Sequence, residues 1–180
     1  MIRLPVETLD SAPASTIPRL QKGRAAAGKV LNLHGQMAHS PTVFAAYWAM
    51  REAIEQHATL EPKVRAAVML TVSAVTGSEY SLAVNKMLAA RAGWTPDEVA
   101  ALSVAVPLDT DDRTAAMVAV IRQAAADEGH VREQTWNTAL EAGWTTGDLG
   151  EAFAVLGIVL FVDYFVNYAH TPLDVEHLSS

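Results

Sequence analysis

The sequence predicts an all-α fold, a single helical bundle built on an internal two-fold repeat of helical hairpins. Three observations lead there. Apolar residues recur at helical spacing, as in Val43, Ala46, Tyr47, Met50 and Ile54. Short Pro, Gly and Thr signals stop and restart the chain. A corner, Ala92-Gly93-Trp94-Thr95, returns as Ala142-Gly143-Trp144-Thr145, 50 residues later.

Each element follows in order. Residues 1–18 carry Pro5, Pro13 and Pro18 among small polar residues and read as an extended arm, draped over the domain or over a neighbour. The helical domain takes residues 19–180. Pro41 opens a helix through His57. Pro62 suits the first turn of the next, which runs to about Val75. Thr76-Gly77 breaks it, and a further helix runs to about Arg91. Gly93 ends that helix in a left-handed conformation. Thr95 caps the next, with Pro96 at its first position and Glu98 closing a capping box. Thr145 and Asp148 repeat the arrangement.

Upstream, Leu60 to Ala67 line up with Leu108 to Ala115 at a shift of 48, so the expected repeat includes a two-residue insertion. Asn85 and Asn137 then fall near equivalent places. Trp94 and Trp144 are expected to pin the two hairpins. Residues 102–107 alone look strand-like; they are short, end in proline and read as a connector.

A chain of 180 residues supports one domain with a real core. Apolar residues are 51% and charged ones 18%, which excludes a disordered chain. The net charge is -7 with no basic cluster, which argues against nucleic acid and against an anionic membrane surface. The longest apolar run, residues 153–162, is half the ~20 residues a membrane span needs and meets Asp163. It is expected to be a helix buried in the core or in a subunit contact. The first residues lack a charged segment followed by an apolar run, so the expected location is cytoplasmic.

The chain has no cysteine, which removes disulfides and thiolate metal sites. No two histidines have the i, i+4 spacing of a helical metal site, so no metal is expected. No Gly-rich phosphate loop, nucleophile elbow or dinucleotide fingerprint is present, and no cofactor is expected.

The candidate site is Gly77-Ser78-Glu79-Tyr80-Ser81-Leu82-Ala83-Val84-Asn85. Ser78 and Ser81 are three apart and Asn85 four further on, which sets all three on one helix face. Two readings stand side by side. Ser78 and Ser81 are a helix cap and a small packing residue, or they join Asn85 as a polar patch that bonds a ligand. Glu79 is a first-turn carboxylate or a base contributing to substrate binding. Tyr80 is a packing aromatic or a phenolic acid. His39 is a cap or surface residue before Pro41, or a pocket residue. Asn167 and the nearby His170 are further ligand-binding candidates. No histidine or lysine neighbours the serines on their face, so neither is an activated nucleophile.

In this arrangement the chain resembles the carboxymuconolactone decarboxylase and alkylhydroperoxidase D-like superfamily. The resemblance rests on His39-Ser40-Pro41, on residues 60–75, on the 77–85 segment leading to Ala92-Gly93-Trp94, and on Phe165-Val166-Asn167-Tyr168 before Thr171-Pro172-Leu173-Asp174. It covers residues 30–175 and implies an alkylhydroperoxidase D-like bundle assembled as a trimer or hexamer. Redox members carry Cys-x-x-Cys and a following His, with a Glu on the preceding helix. Here those places hold Ser78, Ser81, Asn85 and a position near Ala66. The resemblance therefore implies a member without thiol peroxidase chemistry that keeps a small-molecule pocket at the old redox site. The alternatives are a cofactor-free lyase, decarboxylase or isomerase using acid–base residues there, and an inactivated peroxidase-related protein.

Overall fold

The structure, a computed structural model, describes residues 2–104 and 111–175. Among these residues the elements are α1 (Ile17–Ala27), α2 (Asn32–Ala38), α3 (Pro41–His57), α4 (Pro62–Thr76), α5 (Glu79–Arg91), α6 (Pro96–Ser103), α7 (Asp112–Ala126), α8 (Glu133–Glu141) and α9 (Thr146–Ala169). No strand occurs among them. The first part of the strand-like stretch finishes α6, and residues 105–107 lie outside the described residues.

The caps explain where helices begin. Ser40, Ser78, Thr95, Asp111 and Thr145 each accept a backbone N–H of the first turn through the side chain. Thr95 with Glu98 and Thr145 with Asp148 form complete capping boxes. Gly93 and Gly143 follow at φ 92° and 91°, where a Cβ would be strained.

The central helix is α4, which packs against α5, α7 and α9. Val68, Leu70 and Val72 are fully buried on it. Phe44 and Trp48 of α3 fill one end of the core, and Trp94 and Leu102 sit in a smaller cluster at the α5–α6 corner.

The repeat is real, but its register differs from the expectation. Trp94 donates its indole N–H to the Lys63 carbonyl at 2.8 Å, and Trp144 donates to the Arg113 carbonyl at 2.6 Å. Both bonds span 31 residues, so Lys63 corresponds to Arg113 at a shift of 50, like the tryptophans themselves. The Lys63 ammonium and the Arg113 guanidinium lie 4.4 Å and 4.0 Å from the same ring centroids. Helices α4 and α7 are both 15 residues long, with N-caps Glu61 and Asp111. No insertion is needed, and the match at 48 is a coincidence of composition. The counterpart of Asn85 is accordingly Thr135, not Asn137.

The copies diverge after α4 and α7. Helix α5 starts at Glu79, but α8 starts only at Glu133. In the second copy the turn equivalent to 78–82 is unwound, with Glu128 and Gly129 at positive φ. The Ser-x-x-Ser turn is helical only in the first.

Helix α9 is the core helix expected of the apolar run, but it is longer than that run. Asp163 does not end the apolar helix, which runs on to Ala169 with Asp163 0% exposed. Hydroxyls of α4 satisfy the carboxyl, so its burial is tolerated. By length and composition α9 could cross a membrane. Here it packs against α3, α4, α5 and α7 as a core helix.

The N-terminal segment lies on its own domain. The backbone N–H of Arg3 donates to the Ala169 carbonyl and that of Glu7 to the Gly35 carbonyl. A Cβ at position 35 would come within 2.7 Å of the Glu7 carbonyl oxygen, which makes glycine the fitting residue there. At the other end, the Thr171 hydroxyl donates to Gln36 and the Asn32 amide to the Pro172 carbonyl, strapping residues 171–175 across α2.

Candidate functional site

A cavity of about 490 Å³ opens between α1, α2, α3, α5 and α9, with Asp174 and Val175 at its rim. That size suits a small organic molecule. Its walls are mainly apolar, from Leu33, Met69, Val84, Ile158, Val159 and Val162.

Helix α5 sends Tyr80, Ser81 and Asn85 into this lining. Ser78 is fully buried but acts as the N-cap, accepting the Ser81 backbone N–H at 3.4 Å, and is not a lining residue. The Asn85 amide donates to Ser73 Oγ at 2.9 Å and to the Met69 carbonyl at 3.3 Å. Ser81 Oγ is buried without a hydrogen bond of good geometry. It lies close enough to the Asp163 carboxyl to lower its pKa.

Asp163 is the acid behind this wall. It accepts the Ser73 hydroxyl at 3.3 Å and the Thr76 hydroxyl at 2.6 Å. Burial pushes its pKa up, and the hydroxyls of Ser81, Thr76 and Ser73 only offset part of the rise.

The opposite wall holds a second polar chain. Arg51 donates to the Tyr47 hydroxyl at 3.3 Å, and that hydroxyl lies 3.3 Å from His34 Nε2. Burial, reinforced by the Arg51 charge, pushes the His34 pKa down to about 4, so the ring is neutral at pH 7. With Arg51 donating to the Tyr47 oxygen, the Tyr47 proton is free to point to Nε2, the arrangement that puts the ring proton on Nδ1. Nδ1 is buried with no partner.

At the rim, the Tyr80 hydroxyl donates to Asp174 Oδ1 at 2.8 Å. Burial first, then the Asp174 charge, raises its pKa, which keeps the phenol protonated. Asp174 Oδ2 also accepts the Asn32 backbone N–H at 2.9 Å, and Lys29 pairs with the same carboxylate.

The other candidates lie elsewhere. Glu79, Asn167 and His170 line a separate open groove, and Tyr80 is the wall between that groove and the cavity. His39 is exposed and pairs with Glu7 at 2.8 Å on the arm. Among the described residues no group of three or more His, Asp or Glu side chains could hold a metal ion.

Sequence reasoning passes over His34, Tyr47, Arg51, Asp163 and Asp174. Two signals are there to be read. Tyr47 and Arg51 stand i, i+4 on one helix face, and Asp163 has apolar sequence on both sides.

The model of the carboxymuconolactone decarboxylase family matches residues 41–123. That segment, α3 through most of α7, is similar to the carboxymuconolactone decarboxylase family. A comparison with curated proteins gives no match. Among solved structures the fold is similar to an alkylhydroperoxidase AhpD core, an uncharacterized peroxidase-related protein from Ralstonia eutropha JMP134, with a TM-score of 0.86, 20% identity, and 96% of this chain and 92% of that chain covered. It is also similar to an uncharacterized peroxidase-related protein from Silicibacter sp. TM1040, with a TM-score of 0.82, 17% identity, and coverage of 98% and 93%. The debrominase Bmp8, in complex with 2,3,4-tribromopyrrole, gives a TM-score of 0.81, 14% identity, and coverage of 97% and 92%. These likenesses show an alkylhydroperoxidase D-like fold. This chain has no cysteine anywhere in its 180 residues, so the thiol cycle through sulfenic acid and disulfide has no thiol to run on.

Proposed function

We propose that this chain binds a small, largely apolar molecule in the α5–α9 cavity, its polar end directed at Ser81 and His34. The observation that carries the reading is a pair of orphaned atoms. Ser81 Oγ and His34 Nδ1 belong to lining residues only 3% and 4% exposed; neither makes a hydrogen bond of good geometry, and Ser81 Oγ approaches only the Asp163 carboxyl. Each unsatisfied buried group costs about 1–3 kcal/mol, which a ligand supplying partners removes. The polar set suits a halogenated or carboxylated aromatic, and Bmp8, of similar fold, is in complex with a tribrominated pyrrole. The reading requires neither metal nor cofactor.

Thermal shift and calorimetry with 2,3,4-tribromopyrrole and with benzoate test it. At a ligand concentration 100-fold above Kd, Tm rises by roughly 5–10 °C. Val84→Trp fills the cavity and abolishes the rise. No shift with either compound overturns the reading.

A second reading, a cofactor-free lyase or isomerase, is favoured by the buried acid Asp163 adjoining the cavity wall. Either reading is compatible with a cytoplasmic homo-oligomer. Helix α9 supports self-association through an apolar stripe that includes Phe153, Tyr164 and Tyr168, exposed by 60%, 65% and 66%.

A further inference from the structure

We infer that Asp163 and Ser81 form a two-group proton relay that delivers a proton from the core to a molecule in the cavity. The inference rests on the cavity being a ligand site, and assigns that site a reaction class, proton transfer to a basic atom of the bound molecule.

Four observations converge. Asp163 is 0% exposed, yet its carboxyl is held by the Ser73 and Thr76 hydroxyls of α4. The groups that shift its pKa are these hydroxyls and that of Ser81 on α5, and no charged side chain contributes. A carboxylate buried without a cation is costly, whereas the neutral acid is not, and burial raises the pKa accordingly. Ser81 stands between, near the acid on one side and lining the cavity on the other, with its own oxygen unpartnered.

The hydroxyl inventory sets the direction. Ser73 accepts from Asn85 and donates to Asp163, so its single proton is committed. Thr76 donates to the other carboxyl oxygen. A neutral Asp163 therefore has one O–H to give and one nearby oxygen free to take it, Ser81 Oγ. In the transfer, the Ser81 O–H bond breaks as its proton passes to the basic atom of the ligand. The Asp163 O–H bond breaks as its proton replaces the one that Ser81 gave up. Ser81 ends unchanged, the ligand gains one proton, and Asp163 becomes a carboxylate stabilised by Ser73 and Thr76. Neither oxidant nor metal enters the balance.

The position of this acid separates it from the thiol arrangement. Residues 66 and 85, at the relay places implied by the family resemblance, are alanine and asparagine. The acid here comes from α9 instead, and Asn85 holds Ser73 in orientation.

Infrared difference spectroscopy with labelled aspartate, combined with 4-nitrophenolate as a coloured basic probe, tests the relay. The unliganded wild type at neutral pH shows a carboxylic-acid band that Asp163→Asn removes. When the probe binds, that band gives way to a carboxylate band and the probe loses its yellow colour. Ser81→Ala, read at probe concentrations that saturate the weakened site, keeps the acid band and leaves the bound probe yellow, which a merely structural serine would not do. Absence of the acid band in the unliganded protein overturns the relay whether or not a ligand binds. A bound probe with an unchanged acid band overturns the relay but leaves the ligand site standing. A probe that does not bind removes the ligand site and the relay with it.

Discussion

Asn85 donates its side-chain amide to Ser73 Oγ at 2.9 Å, linking α5 to α4 across 12 residues. Fifty residues later the same link recurs with the roles exchanged. Gln123, the counterpart of Ser73, donates to Thr135, the counterpart of Asn85, at 2.8 Å and again across 12 residues. In the second copy the bond is a local tie between α7 and α8. In the first it extends through Ser73 to Asp163 and lines the cavity, so one inherited cross-link has become part of the site.

Removing Asn85 tests that tie. Asn85→Ala leaves Ser73 Oγ without its donor in the core, and the expected loss of stability is about 1–3 kcal/mol by urea denaturation. A double-mutant cycle with Ser73→Ala gives a coupling of about 0.5–3 kcal/mol, because the two residues share one network. Additive losses would show that the bond contributes nothing of its own.

The duplicated corners make a paired prediction. Trp94→Phe and Trp144→Phe each lose one indole N–H bond to a first-turn carbonyl and weaken the cation contact over the ring. Each is expected to cost about 1–2 kcal/mol. Gly93→Ala and Gly143→Ala, at φ near 90°, each cost about 1–2 kcal/mol more than an exposed helix substitution. Equal costs in the two copies are the mark of equivalent corners; a corner insensitive to both changes would not be pinning its hairpin.

These corners are legible in the sequence because caps and αL glycines are local devices, written within a few neighbouring residues. The repeat register is less so. Leu60 to Ala67 resemble Leu108 to Ala115 in composition, but the register is set by which carbonyl each indole reaches, 31 residues away. The 77–85 face is legible as a face. Its partners are not, since His34 and Asp163 join it only through packing of α2 and α9. The burial of Asp163 is not legible for a plain physical reason: an acid closing an apolar run gives no sign of being buried until the hydroxyls that satisfy it are in place.

His34 makes the acid limb of stability specific. Its folded pKa, about 4, lies below the ordinary value of 6.5, because burial excludes the charged ring. The unfolded chain therefore binds more protons between these values. The contribution is fully present above pH 6.5 and is lost as pH falls toward 4. Its size is up to about 3 kcal/mol. His34→Gln removes the titration, so its stability changes less than the wild type over that window in pH-dependent urea melts. Parallel curves for the two proteins would mean that His34 is solvated.

The missing thiol leads to an expectation about activity. Wild-type protein freed of metal is expected to consume no hydroperoxide in a thiol-coupled assay, since the chain has no cysteine to cycle through sulfenic acid and Ser78 is committed as a cap. Robust turnover would require a mechanism independent of cysteine.

The exposed face of α9 gives the last prediction. Phe153, Tyr164 and Tyr168 are large, more than half exposed and set on one helix. Spacings of 11 and 4 residues bring them near one line along it. Solvating such a stripe is unfavourable, at roughly 25 cal/mol per Å² of apolar surface left in water, and a second copy of the chain offers a matching one. Sedimentation velocity on the wild type is expected to show a trimer or a hexamer. Phe153→Glu with Tyr168→Glu is expected to shift it to monomers that retain the wild-type circular dichroism, because neither side chain is part of the core. A monomeric wild type would leave the stripe to another partner, and an assembly indifferent to both charges would place the subunit contact off this face.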